Sequence, residues 1–283
     1  MAAMTLHPSS SAPHGPGTPR PLPALVRRLG HEALSGFPLS VLSDGRVVGD
    51  FFQCRLSSVF QPIVDAKRRE VIGHHGYLRV AGEHGESVAP RGVFSQAADD
   101  ATLVKLDRLT RSLHALNYFG LASAAARLFV HVEQRLLSTV TAEHGRVFEG
   151  ILAELGQQPE RVVISLPAAT GENAPLLVRS ALNYKNRGYK VLLQVRDLGD
   201  LARGNLFLAE PHFVQVDVPT TDAAASTARV ILALRRADIR TVARKIETEA
   251  DAELARDLGF DCLQGHVFGL PATLPAARAE GAR

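Results

Sequence analysis

From about Phe51 onward the chain alternates short apolar runs rich in Val, Ile, Leu and Phe with longer segments of helical periodicity. That alternation is the sign of parallel strands joined by crossover helices, an arrangement that buries both faces of the sheet. The runs are Ser58–Val64, Val71–Val80, Leu128–Val132, Val162–Leu166, Val191–Val195, Phe213–Val216, Thr241–Ala243 and Asp261–Leu263. Eight of them predict an α/β fold in which the sheet closes into a (β/α)8 TIM-like barrel. A hydrophobic share of 46% supplies its core, and 283 residues lie within the length at which barrels fold as one unit.

The intervening segments carry their own signals. Ser95–Tyr118 places Leu103, Leu106, Leu109, Leu113 and Leu116 at helical spacing, with Ser95 as the expected N-cap. Leu176–Asn186, Ala223–Arg236 and Glu249–Leu258 are the other clear helices, the last two ending near Asp238 and Gly259. Upstream, Leu22–Leu34 reads as a short basic helix with Arg27 and Arg28. Leu39–Leu42 and Gly45–Gly49 read as a hairpin around Ser43-Asp44-Gly45. The expected organisation is a disordered tail over 1–22, rich in Pro, Ser, Gly and His, an N-terminal extension over 23–50, the barrel over 51–275 and a flexible C-terminus over 276–283.

Composition excludes several classes. A net charge of +3 without a dense Lys/Arg run interleaved with aromatics argues against nucleic acid as a partner. Cys54 and Cys262 are far apart and lack a CxxC partner, so they read as core thiols in a reducing compartment. The chain has no apolar run of about 18 residues and no secretory h-region, so the expectation is a cytoplasmic protein with no membrane partner. It has no G-x-S-x-G elbow, no G-x-G-x-x-G and no H-E-x-x-H, and Gly199–Gly204 lacks the Lys-Ser/Thr of a phosphate loop.

In an eight-stranded α/β barrel the reactive groups collect at the C-terminal ends of the strands. Along the chain run ordered blocks: Phe60-Gln61-Pro62-Ile63-Val64-Asp65, Gly73-His74-His75-Gly76-Tyr77-Leu78-Arg79, Leu106-Asp107-Arg108, Pro159–Ile164, Asp197-Leu198-Gly199, Gln215-Val216-Asp217, Ile246-Glu247-Thr248 and Asp261–Phe268. In this order and spacing, over about Phe51–Pro271, the chain resembles the EAL domain family, bacterial phosphodiesterases that linearise cyclic di-GMP.

The resemblance implies carboxylates and an amide at the strand ends that hold divalent metal in active members, where the metal generates hydroxide and offsets phosphodiester charge. At those positions this chain has His75, His131, Ser165, Arg196 and Arg244, with Gln215 where active members carry a Lys that assists the attacking water. Asp197, Asp217 and Glu247 remain. Hard dications need oxygen ligands, and Arg offers only donors. One unit-charge repulsion at about 4 Å and an effective dielectric of about 20 costs roughly 4 kcal/mol, doubled for a dication. The expectation is therefore a degenerate member with no metal cofactor and no enzymatic activity. His75 and His131, with Asp197 or Glu247, form a mixed transition-metal set only as the less favoured alternative to a structural role.

The resemblance further places nucleotide contacts at Gln61, Arg79, Asp107 and Glu247, with Gln264 and Pro271 completing the set. Arg79 can fork onto a phosphate, and Arg196 and Arg244 can pair with phosphates from the former metal positions. Each has a structural alternative. Gln61 can bond within the barrel, Arg79 can pair with Asp107 or Glu83, and Asp107-Arg108 can be a solvated helix turn. Arg196 and Arg244 can fill the cleft by pairing with Asp197, Asp217 and Glu247. The functional expectation is a non-catalytic regulator in cyclic di-GMP signalling that binds the nucleotide and passes the signal to a protein partner. The alternative is a nucleotide-independent interaction module that sequesters a regulator through the outer helices or Leu22–Leu34; a minor third is an active phosphodiesterase with a rebuilt site.

Overall fold

The computed structural model describes residues 22–32, 38–119, 126–137, 142–168, 172–218 and 224–274. The tail expected over 1–22, apart from Leu22, and the C-terminus expected over 276–283 lie outside the described residues. In chain order the elements are α1 (Leu22–Glu32), β1 (Leu39–Val41), β2 (Val47–Phe51), β3 (Cys54–Asp65), β4 (Val71–Ala81), β5 (Ser87–Val88), α2 (Pro90–Gln96), α3 (Asp100–Phe119), β6 (Arg127–His131), α4 (Ala142–Glu154), β7 (Val162–Leu166), α5 (Ala174–Lys185), β8 (Lys190–Gln194), α6 (Asp200–Arg203), β9 (Phe213–Asp217), α7 (Ala224–Arg236), β10 (Arg240–Arg244), α8 (Glu249–Asp257) and β11 (Cys262–Leu263).

The strands form one sheet in the order β1-β2-β3-β11-β10-β9-β8-β7-β6-β4-β5, and pairing of β3 with β4 closes eight of them into a barrel. Seven barrel strands run parallel to their neighbours through β4, β6 and β7–β11, while β3 is antiparallel to both β4 and β11. The physical reason lies in the β3–β4 connection. Only Ala66–Glu70 separates the two strands, with Arg69 in the left-handed region (φ 59), and a parallel pair would need a crossover of a dozen or more residues.

The N-terminal segment is joined to the barrel by backbone. β2 pairs with the start of β3, Gly49 opposite Leu56 and Phe51 opposite Cys54. Asn117 of α3 clamps the start of β2, accepting from the Val47 N–H and donating to its carbonyl, both at 2.8 Å. Leu25, Val26 and Leu29 of α1 are buried, and Arg28 pairs with Glu154 of α4 at 2.5 Å.

The helix expected from Ser95 onward is two helices. Ser95 Oγ donates to the Arg91 carbonyl (2.8 Å) inside α2, so it does not cap, and the N-cap of α3 is Asp99, whose carboxylate accepts from the Thr102 N–H and Oγ1 at 2.8 Å. This corrects the N-cap assignment: an acceptor two residues past the break at Ala97 competes better for the free N–H groups of the longer helix.

Inside the barrel, Ile63, Phe129, Val163, Leu192, Phe213, Val242 and Cys262 form a closed apolar cluster. Strand side chains alternate in direction, so the residue two positions further toward the mouth on each strand also faces inward. That register brings the chemistry-bearing residues together.

Candidate functional site

Two positions above each plug residue stand Gln61 (β3), His75 (β4), His131 (β6), Ser165 (β7), Gln194 (β8), Gln215 (β9), Arg244 (β10) and Gln264 (β11), one from each barrel strand. On β4 the plug position is Gly73, where a Cβ would lie 2.5 Å from the Arg127 carbonyl and 2.6 Å from the Phe129 ring. All of this layer except Ser165 lines a cavity of about 220 Å³ whose wall is completed by Tyr77, Lys245, Glu247, Gly265 and His266. Ser165 is fully buried behind it.

The floor is an amide chain. Gln215 Nε2 donates to Gln264 Oε1 (2.8 Å), and Gln264 Nε2 donates to Gln61 Oε1 (3.0 Å) and to the Tyr77 hydroxyl (3.1 Å). Gln61 Nε2 closes it on the Gly269 carbonyl at 3.2 Å. Each amide restrains the next, which fixes orientation at low entropic cost to a ligand.

Beside the amides, the His75 and His131 rings stack with centroids 4.0 Å apart and an interplanar angle of 22°. His75 is buried, and neither ring nitrogen makes a hydrogen bond of ordinary geometry. Burial holds its pKa well below the imidazole value, helped by His131, with a weaker opposing effect from the Gln264 amide. Confinement of the ring and the Arg244 charge lower His131 to about 4. Its side chain keeps a water-exposed edge, with Gln194 Nε2 at 3.5 Å from Nδ1, so the buried His75 is the firmer case of a neutral imidazole. Both rings are thus acceptors or weak donors at neutral pH.

Each carboxylate near the rim meets a base. Asp217 is held by the Arg244 Nε and, at 2.7 Å, by the Lys245 Nζ. Partial burial opposes its ionisation, yet Lys245 and Arg244 together keep its pKa below the usual carboxylate value. Glu247 pairs with His266 Nδ1 at 2.7 Å. Asp197 turns away from the cavity to Arg203, which bonds both its oxygens at 2.7 and 2.8 Å.

The residues singled out from sequence therefore separate into two groups. Gln61, His75, His131, Gln215, Arg244, Glu247 and Gln264 converge on the cavity, with Ser165 behind it. Arg196 does not join them: its side chain is 70% exposed and its Nε lies 3.8 Å from Asp200. Asp107 is buried against Arg111, whose guanidinium also donates to the Tyr184 hydroxyl at 3.1 Å. Arg79 is exposed and has no ion-pair partner among the described residues. Pro271 sits in the segment that runs beside β3, where Ala272 and Phe60 exchange two backbone hydrogen bonds.

Sequence reasoning missed Gln194, Lys245 and His266. Gln194 was readable, since it lies two residues past Leu192 with the same inward phase. Lys245 was not: it reaches Asp217 through a left-handed backbone (φ 60) that no residue type announces. The adjoining cleft, about 740 Å³, shares Tyr77 and His131 as walls and continues past Arg91 and Phe94. The donor set of the polar layer, two largely neutral imidazoles, interlocked amides and a guanidinium, does not fit a hard divalent cation.

Fold and mouth together define a TIM-like barrel whose strand ends carry a polar pocket. The EAL domain family model matches residues 47–271, and the chain belongs to that family. No curated protein matches the sequence. Among solved structures, the chain is similar to the PaMucR phosphodiesterase (18% identity, TM-score 0.61, 78% of this chain and 92% of that one). It is also similar to the Bacillus subtilis YkuI protein (19% identity, TM-score 0.63, 80% and 58%) and to Klebsiella pneumoniae BlrP1 (16% identity, TM-score 0.65, 83% and 58%). At these identities the likeness speaks for the fold. The chain spans less than two thirds of several of these structures, including 63% of the EAL enzyme Bd1971. Among the described residues no helix is long and apolar enough to cross a membrane.

Proposed function

We propose that this chain is a non-hydrolysing EAL domain that binds cyclic di-GMP, or a related phosphodiester, at the barrel mouth and passes its occupancy to a protein partner. The observation that carries the reading is the composition of the polar layer. Of its eight residues none is a carboxylate, and Arg244 is the one with a permanent charge. A layer of this kind repels a dication and attracts an anion. PaMucR, YkuI and BlrP1 were each solved with cyclic di-GMP, BlrP1 with manganese and YkuI with calcium, which makes that nucleotide the first ligand to test. Room for it supports the same reading: small-molecule sites occupy about 300–1,000 Å³, a range that the 740 Å³ cleft beside the inner cavity falls within. Tyr77 and Phe94 offer rings to a base and Arg244, paired with Asp217, offers donors to phosphates, whereas Arg79 is in the wall of neither cavity.

The test is calorimetry with cyclic di-GMP in EDTA, beside an assay for the linear product with Mg²⁺ or Mn²⁺. Micromolar binding without metal and no linear product are expected. Metal-dependent product would sink the non-catalytic reading. Absence of heat at high nucleotide concentration would favour a nucleotide-independent interaction module instead, a reading supported by the closed amide chain and the Asp217 counter-charge.

A further inference from the structure

Arg244 and Asp217 are directly opposite in the β9–β10 register. Consecutive residues of a strand point to opposite faces, so Arg244 and Lys245 would ordinarily diverge. The left-handed backbone of Lys245 breaks that alternation and brings both cations onto one carboxylate, Arg244 on Oδ1 and Lys245 on Oδ2. L-residues rarely adopt this conformation, and where they do the surrounding structure over-determines it, often at functional sites. Both cations line the cavity, whereas Asp217 lies outside its wall. Among the described residues the only carboxylate in that wall, Glu247, is occupied by His266.

A carboxylate and a phosphoryl group make the same demand on these donors: each presents anionic oxygens to charge-assisted N–H groups. We infer that Asp217 is a built-in competitor for such anions. Arg244 and Lys245 form a phosphate-class subsite that Asp217 keeps closed, and a phosphoryl ligand engages by displacing the carboxylate. The contact is exchangeable because Arg244 and Asp217 are each more than a third exposed, where water and salt weaken an ion pair. Two cations against one carboxylate leave the subsite with net positive charge even when closed. The inference rests on the nucleotide reading only for the identity of the natural ligand.

Asp217→Asn keeps the side-chain shape and removes the charge. With the full chain in EDTA, calorimetry with pyrophosphate and separately with cyclic di-GMP is expected to show at least tenfold tighter binding of both by D217N than by wild type. Adding Arg244→Gln and Lys245→Gln should erase the gain. Equal pyrophosphate affinity in wild type and D217N overturns the inference. Tighter pyrophosphate binding with no cyclic di-GMP binding upholds it and sinks the nucleotide reading. Cyclic di-GMP bound equally by both proteins, with pyrophosphate also unchanged, does the reverse. In wild type alone, the Arg244 Nε–H NMR resonance should shift as pyrophosphate is added. A resonance that stays fixed at saturating pyrophosphate overturns the inference without any variant.

Discussion

Asp107 and Arg111 lie one helical turn apart on α3, both almost fully buried, and the guanidinium also donates to the Tyr184 hydroxyl. Removing one member of a buried pair leaves the other as an uncompensated charge, a loss of about 3–5 kcal/mol. Asp107→Ala is therefore expected to lower the urea unfolding midpoint sharply at neutral pH, whatever it does to nucleotide affinity. A midpoint within error of wild type would remove Asp107 from the scaffold and return it to the ligand. The buried imidazoles make a second prediction. His114 bonds Ser58 Oγ at 2.8 Å, and burial, with His131 nearby, lowers it to about 3; His75 is lowered in the same direction. The unfolded chain takes up protons near pH 6.5, the unperturbed imidazole value, while the folded protein resists until far lower. Stability is thus fully present above about pH 6.5 and is lost as pH falls toward the folded values. A urea midpoint that is level above pH 7 and declines from about 6.5 to 4.5 is expected, with a shallower decline in His114→Asn.

At the scale of elements, the mouth is held by short connections with little freedom. Thr248 and Asp251 form a reciprocal capping box at the start of α8, immediately after Glu247. Thr248→Ala is expected to cost about 1 kcal/mol in a denaturant titration. Gly265 is tighter still. A Cβ there would lie 2.0 Å from the Ile246 carbonyl oxygen, in the segment where Ile246 N–H bonds the Gln264 carbonyl. Gly265→Ala is expected to lose about 1–3 kcal/mol or more through overpacking and to displace Gln264, the hub of the amide chain. A crystal structure of the variant with Gln264 in place would contradict this. These connections also mark the limit of local sequence signals. Ser95 and Asp99 are both good caps by residue type, and only the backbone break at Ala97 decides between them.

For the whole molecule, the eight barrel strands were legible because each is an apolar run bounded by polar turns, and their inward phase follows from period 2 alone. The reversed direction of β3 was encoded in the five-residue β3–β4 connection, but the shared rhythm of the other strands hid it. The part of the site built from strand residues was readable for the same reason, whereas Lys245, His266 and the outward turn of Arg196 depend on loop backbone. Removing residues 1–33 should expose β1 and the apolar surface now covered by Leu25, Val26 and Leu29. Increased dye binding to apolar surface and a lower melting temperature are the expected readouts; unchanged melting would make α1 dispensable.

The apolar plug from Ile63 to Cys262 has a consequence for how such a chain can change over time. Because it seals the barrel beneath the mouth, mutations in the ring above it need not pass through an unfolded ancestor. A lineage can exchange acids for amides, imidazoles or guanidinium one at a time, and trade chemistry for recognition while the scaffold stands.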